Sequence, residues 1–305
     1  MAGYIAEFFG YKSEDGSKKA LSQSGSRICP FTHSTCSKLF AHGKKGIPNG
    51  VCAVRQKSKD SPDIICCPNR IYADDYKILS VISEKAFGKK LKLCAGKNAV
   101  DVAKKDGGAI AVFGHGWGGE LHLPKRKGTG SYFVDWVLAR LDENANLVEF
   151  TAIEVQTIDT TGNYQTAYSH LNDKREVVSD SVGLNWENVN KRIIPQLIYK
   201  GQVLQREDLC KTGLYFVCPK AIYDKVIERL GGKEKLPQMP TQPASIHFFA
   251  YDYDSEKSKK GQITPLKEIE EYCTAVYKVQ EAFSSVSLPD GNVYKSAILK
   301  SLGIC

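Results

Sequence analysis

The feature that most constrains this chain is the crowding of its cysteines into one part of the sequence. Cys94 is the last of six cysteines in the first third, and the other four are spread thinly over the remainder. The first residues have no basic flank followed by a long apolar run, as a secretory signal would, so we expect a cytosolic protein. Grouped cysteines in a reducing compartment more often bind a metal ion than form disulfides.

Four thiol positions, the last of them doubled, lie in segments rich in Gly, Pro, Ser and Asn: Cys29, Cys36, Cys52 and the pair Cys66 and Cys67. The segment 11–63 offers few apolar residues for a core, and four thiolates around one tetrahedral ion would hold its loops together instead. Cys66 competes with Cys67, and His33 and His42 are candidate substitutes. Sulfur ligation indicates zinc or iron without separating them. The alternative is a set of buried, reduced thiols.

The composition is that of a globular protein and excludes a disordered or fibrous chain. Hydrophobic residues make up 42% and charged residues 25%, and no stretch is long and apolar enough to cross a bilayer, so we expect no membrane partner. Lys and Arg number 42 against 34 Asp and Glu, a net charge of +8 that mildly favours a polyanionic partner.

The hydrophobic pattern predicts an α/β or α+β fold in which helices flank a mixed β-sheet. We expect helices at 97–105, 164–171, 186–205, 221–230 and 266–283, and strands at 109–113, 120–123, 132–141, 147–158, 214–218 and 245–253. The strands at 120–123, 132–141 and 147–158 form a predicted meander, because the segments between them have turn composition. We predict an N-terminal metal-binding module, 1–95, and a catalytic domain, 96–305.

Acidic residues interrupt the apolar strands of this meander. Side chains two positions apart share a face of a strand, so Glu154 and Gln156 lie side by side, and pairing of the last two strands would bring Asp135 close to Glu154. Glu120 would stand at the same edge. Carboxylates that converge require a cation, and oxygen ligands of this kind select Mg²⁺.

Asp135, eighteen intervening residues and Glu154-Val155-Gln156 form a variant of the D…(D/E)-x-K signature of divalent-metal nucleases, with glutamine in the lysine position. In such a site the carboxylates hold the metal and the third residue orients the attacking water. A neutral Gln156 can form hydrogen bonds but cannot supply the charge of a lysine. The alternative interpretation is that these are ordinary acids facing water on an edge strand.

Together, these segments resemble the NotI family of type II restriction endonucleases. The resemblance rests on seven landmarks in the same order: Ile5-Ala6-Glu7-Phe8-Phe9-Gly10, Cys29-Pro30-Phe31, Gly50-Val51-Cys52, Cys67-Pro68-Asn69-Arg70, Gly118-Gly119-Glu120-Leu121, Asp135-Trp136 and Glu154-Val155-Gln156-Thr157. They cover about the first half of the chain, and the second half is assigned by continuity.

The resemblance implies a PD-(D/E)xK catalytic core and Mg²⁺-dependent cleavage of both strands of DNA. It also implies a homodimer on a palindromic site, products with 5′-phosphates, and a cognate methyltransferase acting on that site in the cytoplasm of a bacterial or archaeal cell. Metal ligands fall on Cys29, Cys36, Cys52 and Cys67, with iron as the implied metal, and active-site residues on Glu120, Asp135, Glu154 and Gln156. Two alternatives stay open: a non-catalytic DNA-binding protein, and a repair or mobile-element nuclease on the same core.

Overall fold

The computed structural model describes residues 3–40, 46–56, 61–121, 133–285 and 290–304. Within these ranges the chain is a mixed α+β structure with a mixed sheet flanked by helices, which confirms the predicted fold class at that level. None of the helices in the described ranges combines the length and the hydropathy that crossing a bilayer requires.

The N-terminal segment contains a small antiparallel sheet that the sequence did not indicate. Its strands are β1 (Gly3–Phe8), β2 (Tyr11–Lys12), β3 (Val51–Gln56) and β4 (Asp63–Ile65), in the order β2-β1-β3-β4. Apolar side chains of β1 and β3, among them Phe8 and Val54, are buried in the same cluster as residues of the larger sheet. The cysteine-rich segment therefore contributes apolar side chains to a core that it shares with the rest of the chain.

The larger sheet has seven strands in the described part of the chain, in the order β13-β12-β11-β8-β7-β6-β5. The strands are β5 (Leu93–Ala95), β6 (Ala109–Gly114), β7 (Trp136–Leu141), β8 (Leu147–Val155), β11 (Leu214–Pro219), β12 (Ser245–Tyr253) and β13 (Leu266–Ala275). The two short strands β9 (Thr160–Thr161) and β10 (Gly183–Leu184) pair apart from it. Strand β11 runs parallel to β8 and β12, whereas β7 runs antiparallel to both of its neighbours, β6 and β8, so the sheet is mixed.

Helices cover both faces of this sheet. The helices in the described ranges are α1 (Lys18–Ser26), α2 (Ala73–Phe87), α3 (Asn98–Asp106), α4 (Gln165–Lys174), α5 (Ile194–Leu204), α6 (Lys220–Arg229), α7 (Val276–Ser284) and α8 (Val293–Leu302), with a π-helical turn at Val189–Ile193 and 3-10 turns at Pro68–Tyr72 and Ser255–Lys257. Helix α8 buries none of its residues. Side chains of β8 alternate between the two faces: Ala152 packs with α4 to α7, and Ile153 packs with α2. Glu154 therefore faces the side of α4 to α7.

Two sequence-based predictions of secondary structure are wrong. The segment predicted as the first part of a helix at 266–283 is strand β13, and only Val276–Ser284 is helical. The predicted first meander strand, 120–123, is not a strand at Glu120 and Leu121, and its last two residues lie outside the described ranges. Strand β6 takes that place beside β7. Segment 266–275 is a strand because it pairs with the backbone N–H and C=O groups on one side of β12, which would otherwise form a sheet edge. This pairing outweighs the helical spacing of Leu266 and Ile269.

The predicted boundary near residue 95 falls inside continuous structure. Strand β5 pairs with β6 across it, and one buried cluster contains residues from both sides, including Cys52 and Ala152. The division into a module, 1–95, and a larger domain, 96–305, stays a prediction.

Candidate active site

The hairpin of β7 and β8 places the two central acids next to each other. Its turn is closed by Asp142, whose Oδ1 accepts backbone hydrogen bonds from Asn144 at 3.0 Å and Asn146 at 2.8 Å. Because Trp136 pairs with Ile153, the residue before β7 comes opposite Glu154. Asp135 lies there, and its Oδ2 accepts a hydrogen bond from the backbone N–H of Val155 at 2.7 Å.

Glu154 is buried and only half satisfied. Its exposed fraction is 7%, and its Oε1 accepts a hydrogen bond from Nζ of Lys200 at 2.5 Å. Its Oε2 has no hydrogen-bond partner among the described residues. An unpaired buried carboxylate oxygen is costly. Oε2 is therefore the atom of this site that a bound cation would satisfy.

The pKa values of the two acids reflect this environment. Burial raises the pKa of Glu154 to about 7, with the nearby charge of Asp135 adding to the rise, and with Lys200 and the backbone N–H of Asp135 opposing it. Desolvation of its carboxylate also raises the pKa of Asp135, against the Val155 hydrogen bond and Lys200. The charge of Asp135 that raises the pKa of Glu154 indicates negative potential at this pair, and a hard divalent cation would relieve it.

A cavity of about 630 Å³ opens beside Asp135. Its walls come from the end of β6, the start of β7 and the cysteine loops, and include Ser34, Asn69, Tyr72, Glu120 and Trp136. Nε1 of Trp136 donates a hydrogen bond to the hydroxyl of Tyr72 at 3.1 Å, which fixes one aromatic wall. The cavity combines hydrogen-bonding groups, aromatic faces and acids, as a binding cleft does.

Glu120 lines this cavity at its exposed rim. Its carboxylate lies 3.6 Å from Nδ1 of His115, and both side chains are mostly exposed. The structure therefore places Glu120 in the same cleft as Asp135 but not in contact with Asp135 or Glu154. The turn that carries it requires glycines: a Cβ on Gly114 would lie 2.2 Å from the ring of Trp136, and Gly118 has φ +85°.

Gln156 lies just past the end of β8, and its side chain turns to a second, smaller cavity. Its Nε2 donates to the carbonyl of Thr157 at 2.7 Å. The second cavity, of about 320 Å³, is also lined by Lys38, Cys66 and Val155, and Val155 borders both cavities. Gln156 is thus adjacent to the acids without facing the cleft of Asp135 in this conformation.

The clustered cysteines are buried and close together. Burial raises the pKa of the Cys36 and Cys67 thiols, the latter to about 12, and Cys29 adds to the rise in both. Cys52 shows the same rise, with Cys67 and Cys29 contributing to it. These electrostatic effects indicate that Cys29, Cys36, Cys52 and Cys67 lie near one another.

No group of three or more His, Cys, Asp or Glu side chains in the described ranges has the spacing of a metal site, so the predicted four-cysteine centre and the Mg²⁺ site are not confirmed. Cys66, the competing ligand, accepts a hydrogen bond on its Sγ from Nζ of Lys38 at 3.2 Å. His33 is exposed, with its Nε2 3.7 Å from Asp75, and His42 lies outside the described ranges.

Sequence reasoning missed Lys200, the side chain that contacts Glu154. The signal was present: Ile194, Leu197, Gly201 and Leu204 are spaced as the buried face of a helix, and Lys200 falls among them. A lysine on the apolar side of a helix, in a chain whose third motif residue lacks its positive charge, could have been connected with Glu154.

Comparison with known proteins adds one match. The family model described as restriction endonuclease NotI matches residues 15–261, which include the acids, Lys200 and the clustered cysteines. No curated protein matches the chain.

Proposed function

The chain belongs to the NotI restriction endonuclease family, and on that premise we propose that it is a type II restriction endonuclease that requires Mg²⁺. Family membership implies a site-specific nuclease acting on double-stranded DNA. The proposal adds cleavage of both strands at a palindromic site by a homodimer, leaving 5′-phosphates, with a cognate methyltransferase modifying the same site. In this proposal the large mixed sheet is a PD-(D/E)xK nuclease core, 96–305.

The observation that carries the proposal is the pair formed by Asp135 and Glu154 beside the cleft. Oε2 of Glu154 is buried and has no hydrogen-bond partner in the part of the chain that the structure describes, and the neighbouring Asp135 carboxylate adds negative charge. The donor chemistry therefore fits a hard divalent cation, with Asp135 and Glu154 as its ligands. When bound, Mg²⁺ would stabilise the charge that develops on the scissile phosphate and assist ionisation of a water molecule.

The other predicted residues support this chemistry in the proposal. Glu120, at the rim of the cleft, would complete the cation site directly or through water. Gln156 would orient the attacking water once its amide leaves the carbonyl of Thr157. The net charge of +8 favours association with the DNA backbone.

The decisive test is incubation of the purified protein with mixed-sequence DNA in Mg²⁺ or in EDTA, followed by mapping of the cut ends. We expect fixed palindromic cuts with 5′-phosphates in Mg²⁺ alone. Asp135→Asn should lower kcat by about 10²- to 10³-fold, because it removes a proposed ligand of the cation that stabilises the charge on the phosphate in the transition state. Asp106→Asn, at the exposed end of α3, is the matched control and should cut as the wild type does.

Other results would contradict the proposal. Full cutting by Asp135→Asn would eliminate this mechanism. A sequence-specific gel shift with no cleavage in Mg²⁺ would identify a non-catalytic DNA-binding protein. Cutting without a fixed palindrome would identify a repair or mobile-element nuclease.

A structural metal in the cysteine module, 1–95, is a separate part of the proposal. The four thiols are buried, and burial together with the neighbouring Cys29 raises the pKa of Cys36, Cys52 and Cys67; a soft cation, iron or zinc, would favour their thiolate forms instead. The ligands would be Cys29, Cys36, Cys52 and Cys67.

Metal content measured by mass spectrometry, with the absorbance spectrum, separates iron from zinc. We expect about one ion per chain, lost in Cys52→Ser and retained in Cys218→Ser, a buried cysteine elsewhere in the core. A metal-free wild type, or equal loss in both variants, would refute the cysteine site.

A further inference from the structure

Lys200 occupies a position where a lysine is costly. It is 7% exposed and belongs to the face of α5 that also buries Ile194, Leu197 and Leu204. Taking an ammonium group out of water in such surroundings costs several kcal/mol unless it is paired. An apolar side chain would suit this helix face better, so the lysine requires an explanation beyond packing.

Helix α5 packs closely against α7. A Cβ on Gly201 would lie 2.8 Å from Cγ2 of Val276, so the glycine allows α5 to pack closely against α7. Leu197 is buried with Ala152 of β8 in the same cluster. The Cα atom of Lys200 therefore lies on a packed helix rather than on a loop.

The contact of Lys200 with Glu154 orients the carboxylate. Nζ lies 2.5 Å from Oε1, and both side chains are 9% exposed. A hydrogen bond to one oxygen of a carboxylate limits its rotation, and here it leaves Oε2 without a partner in the described ranges. Of the two oxygens, Oε2 is thus the one available to a cation.

Lys200 also places a positive charge at a site whose D…(D/E)-x-K motif has no lysine. Gln156 is neutral at the third position, whereas Lys200 acts electrostatically on both acids of the pair. This positive charge is the ammonium group of Lys200, which lies on α5, 46 residues along the chain from Glu154.

We propose that Lys200 is a positioning residue of this site: it holds Oε1 of Glu154 so that Oε2 is presented to the divalent cation. The inference rests on the proposed nuclease function and adds a residue to it. A positioning role and a simple counter-charge role predict opposite effects of removing Lys200 on the affinity for the divalent cation. Removing a positive charge near two carboxylates would by itself tighten cation binding, whereas losing the orientation of Glu154 weakens it.

The test compares Lys200→Met with the wild type and with Lys225→Met, which removes an exposed lysine paired with Glu228 on α6. The first readout is the Mg²⁺ concentration that gives half of the maximal shift in Tm, measured on the full chain without DNA. We expect Lys200→Met to raise it by about 10- to 100-fold, as loss of a group that supports a metal ligand does. Lys225→Met should leave it unchanged.

The second readout is cleavage. Lys200→Met should lower kcat with little change in KM for DNA, and Lys200→Arg, which keeps a cationic donor, should recover much of the loss. Tighter or unchanged Mg²⁺ binding in Lys200→Met would overturn the proposal, as would an equal effect of Lys225→Met.

A double variant covers the case in which Lys200→Met does not fold. Glu154→Gln with Lys200→Met leaves no unpaired buried charge, and it should have the same Mg²⁺ midpoint as Glu154→Gln alone, because Lys200 acts through Glu154. A further rise in the midpoint would refute the inference. A wild type that binds Mg²⁺ but never cuts DNA would refute the nuclease proposal while the Tm comparison still tests Lys200.

Discussion

At the scale of single residues, this chain buries several ionisable groups, and the carboxylate of Glu7 is one of them. Nε of Arg70 donates to Oε1 of Glu7 at 2.9 Å, and the hydroxyl of Tyr253 donates to Oε2 of Glu7 at 2.5 Å. This cluster joins β1 to β12. Within the described ranges both carboxylate oxygens of Glu7 are bonded, whereas Oε2 of Glu154 and Nη1 of Arg70 have no hydrogen-bond partner. The two acids therefore differ in that only Glu154 has an oxygen available to a cation.

His247 provides a pH-dependent prediction. Burial lowers the pKa of His247 to about 4; its Nε2 lies 3.0 Å from the carbonyl of Thr212, and its ring stacks on Tyr215 at 4.3 Å between centroids. The unfolded state, with a pKa near 6.5, binds the proton more tightly, so the free energy of unfolding should fall as pH drops from 6.5 toward 4. Above pH 6.5 this contribution is fully present.

The measurement is urea denaturation of the wild type and His247→Gln at several pH values. His247→Gln should show a smaller fall in the free energy of unfolding over this range, by up to about 3 kcal/mol. His170→Gln, at an exposed histidine paired with Glu176, is the control. Identical pH slopes for wild type and His247→Gln would contradict the prediction.

At the scale of elements, the hairpin of β7 and β8 positions the acids and the turn after β6 shapes the cleft. The backbone N–H of Gly114 donates to the carbonyl of Gly119 at 3.0 Å, which closes that turn. Gly118 has φ +85°, and a Cβ there would lie 1.8 Å from the carbonyl oxygen of Val112. Gly119 has φ +79°, and no atom of the described residues lies near its Cβ position.

Alanine variants of these two glycines distinguish the cost of backbone strain from the cost of steric contact in the free energy of unfolding. Gly119→Ala should cost about 1–2 kcal/mol of unfolding free energy, because L residues disfavour the left-handed region. Gly118→Ala should cost more, since the methyl group also forces the backbone of β6 to shift. Chemical denaturation of both variants measures the difference. A cost for Gly118→Ala no larger than that of Gly119→Ala would show that the turn relaxes freely.

At the scale of the whole molecule, the cysteine-rich segment and the large sheet share one buried cluster. Phe8 packs edge-on against Tyr168 at 5.7 Å, and Phe40 against Tyr168 at 5.0 Å between ring centroids. Because these contacts join the first part of the chain to α4, we expect the two parts to unfold together.

Two probes test this expectation along one urea titration. The tryptophans, which include buried Trp136, all lie beyond residue 95 and report on the larger part by fluorescence. Pulse alkylation of Cys52 and Cys67, read by mass spectrometry, reports on the first part. We expect coincident midpoints. Labelling of these cysteines at lower urea than the fluorescence transition would show that the cysteine-rich part is an independent domain.

The sequence alone determined what depends on local pattern. The alternation of β8, the turn at Asp142 and the match with the family were sufficient to predict that Asp135 and Glu154 meet, because neighbouring strands of a hairpin bring residues together at a short separation along the chain.

Only the tertiary structure decided which distant elements complete the site. Lys200 reaches Glu154 because α5 packs on one particular face of the sheet, and β13 is a strand because β12 offers it an open edge. Such contacts depend on the relative placement of whole elements. Residue spacing marks Lys200 as buried, but it does not say which strand α5 packs against.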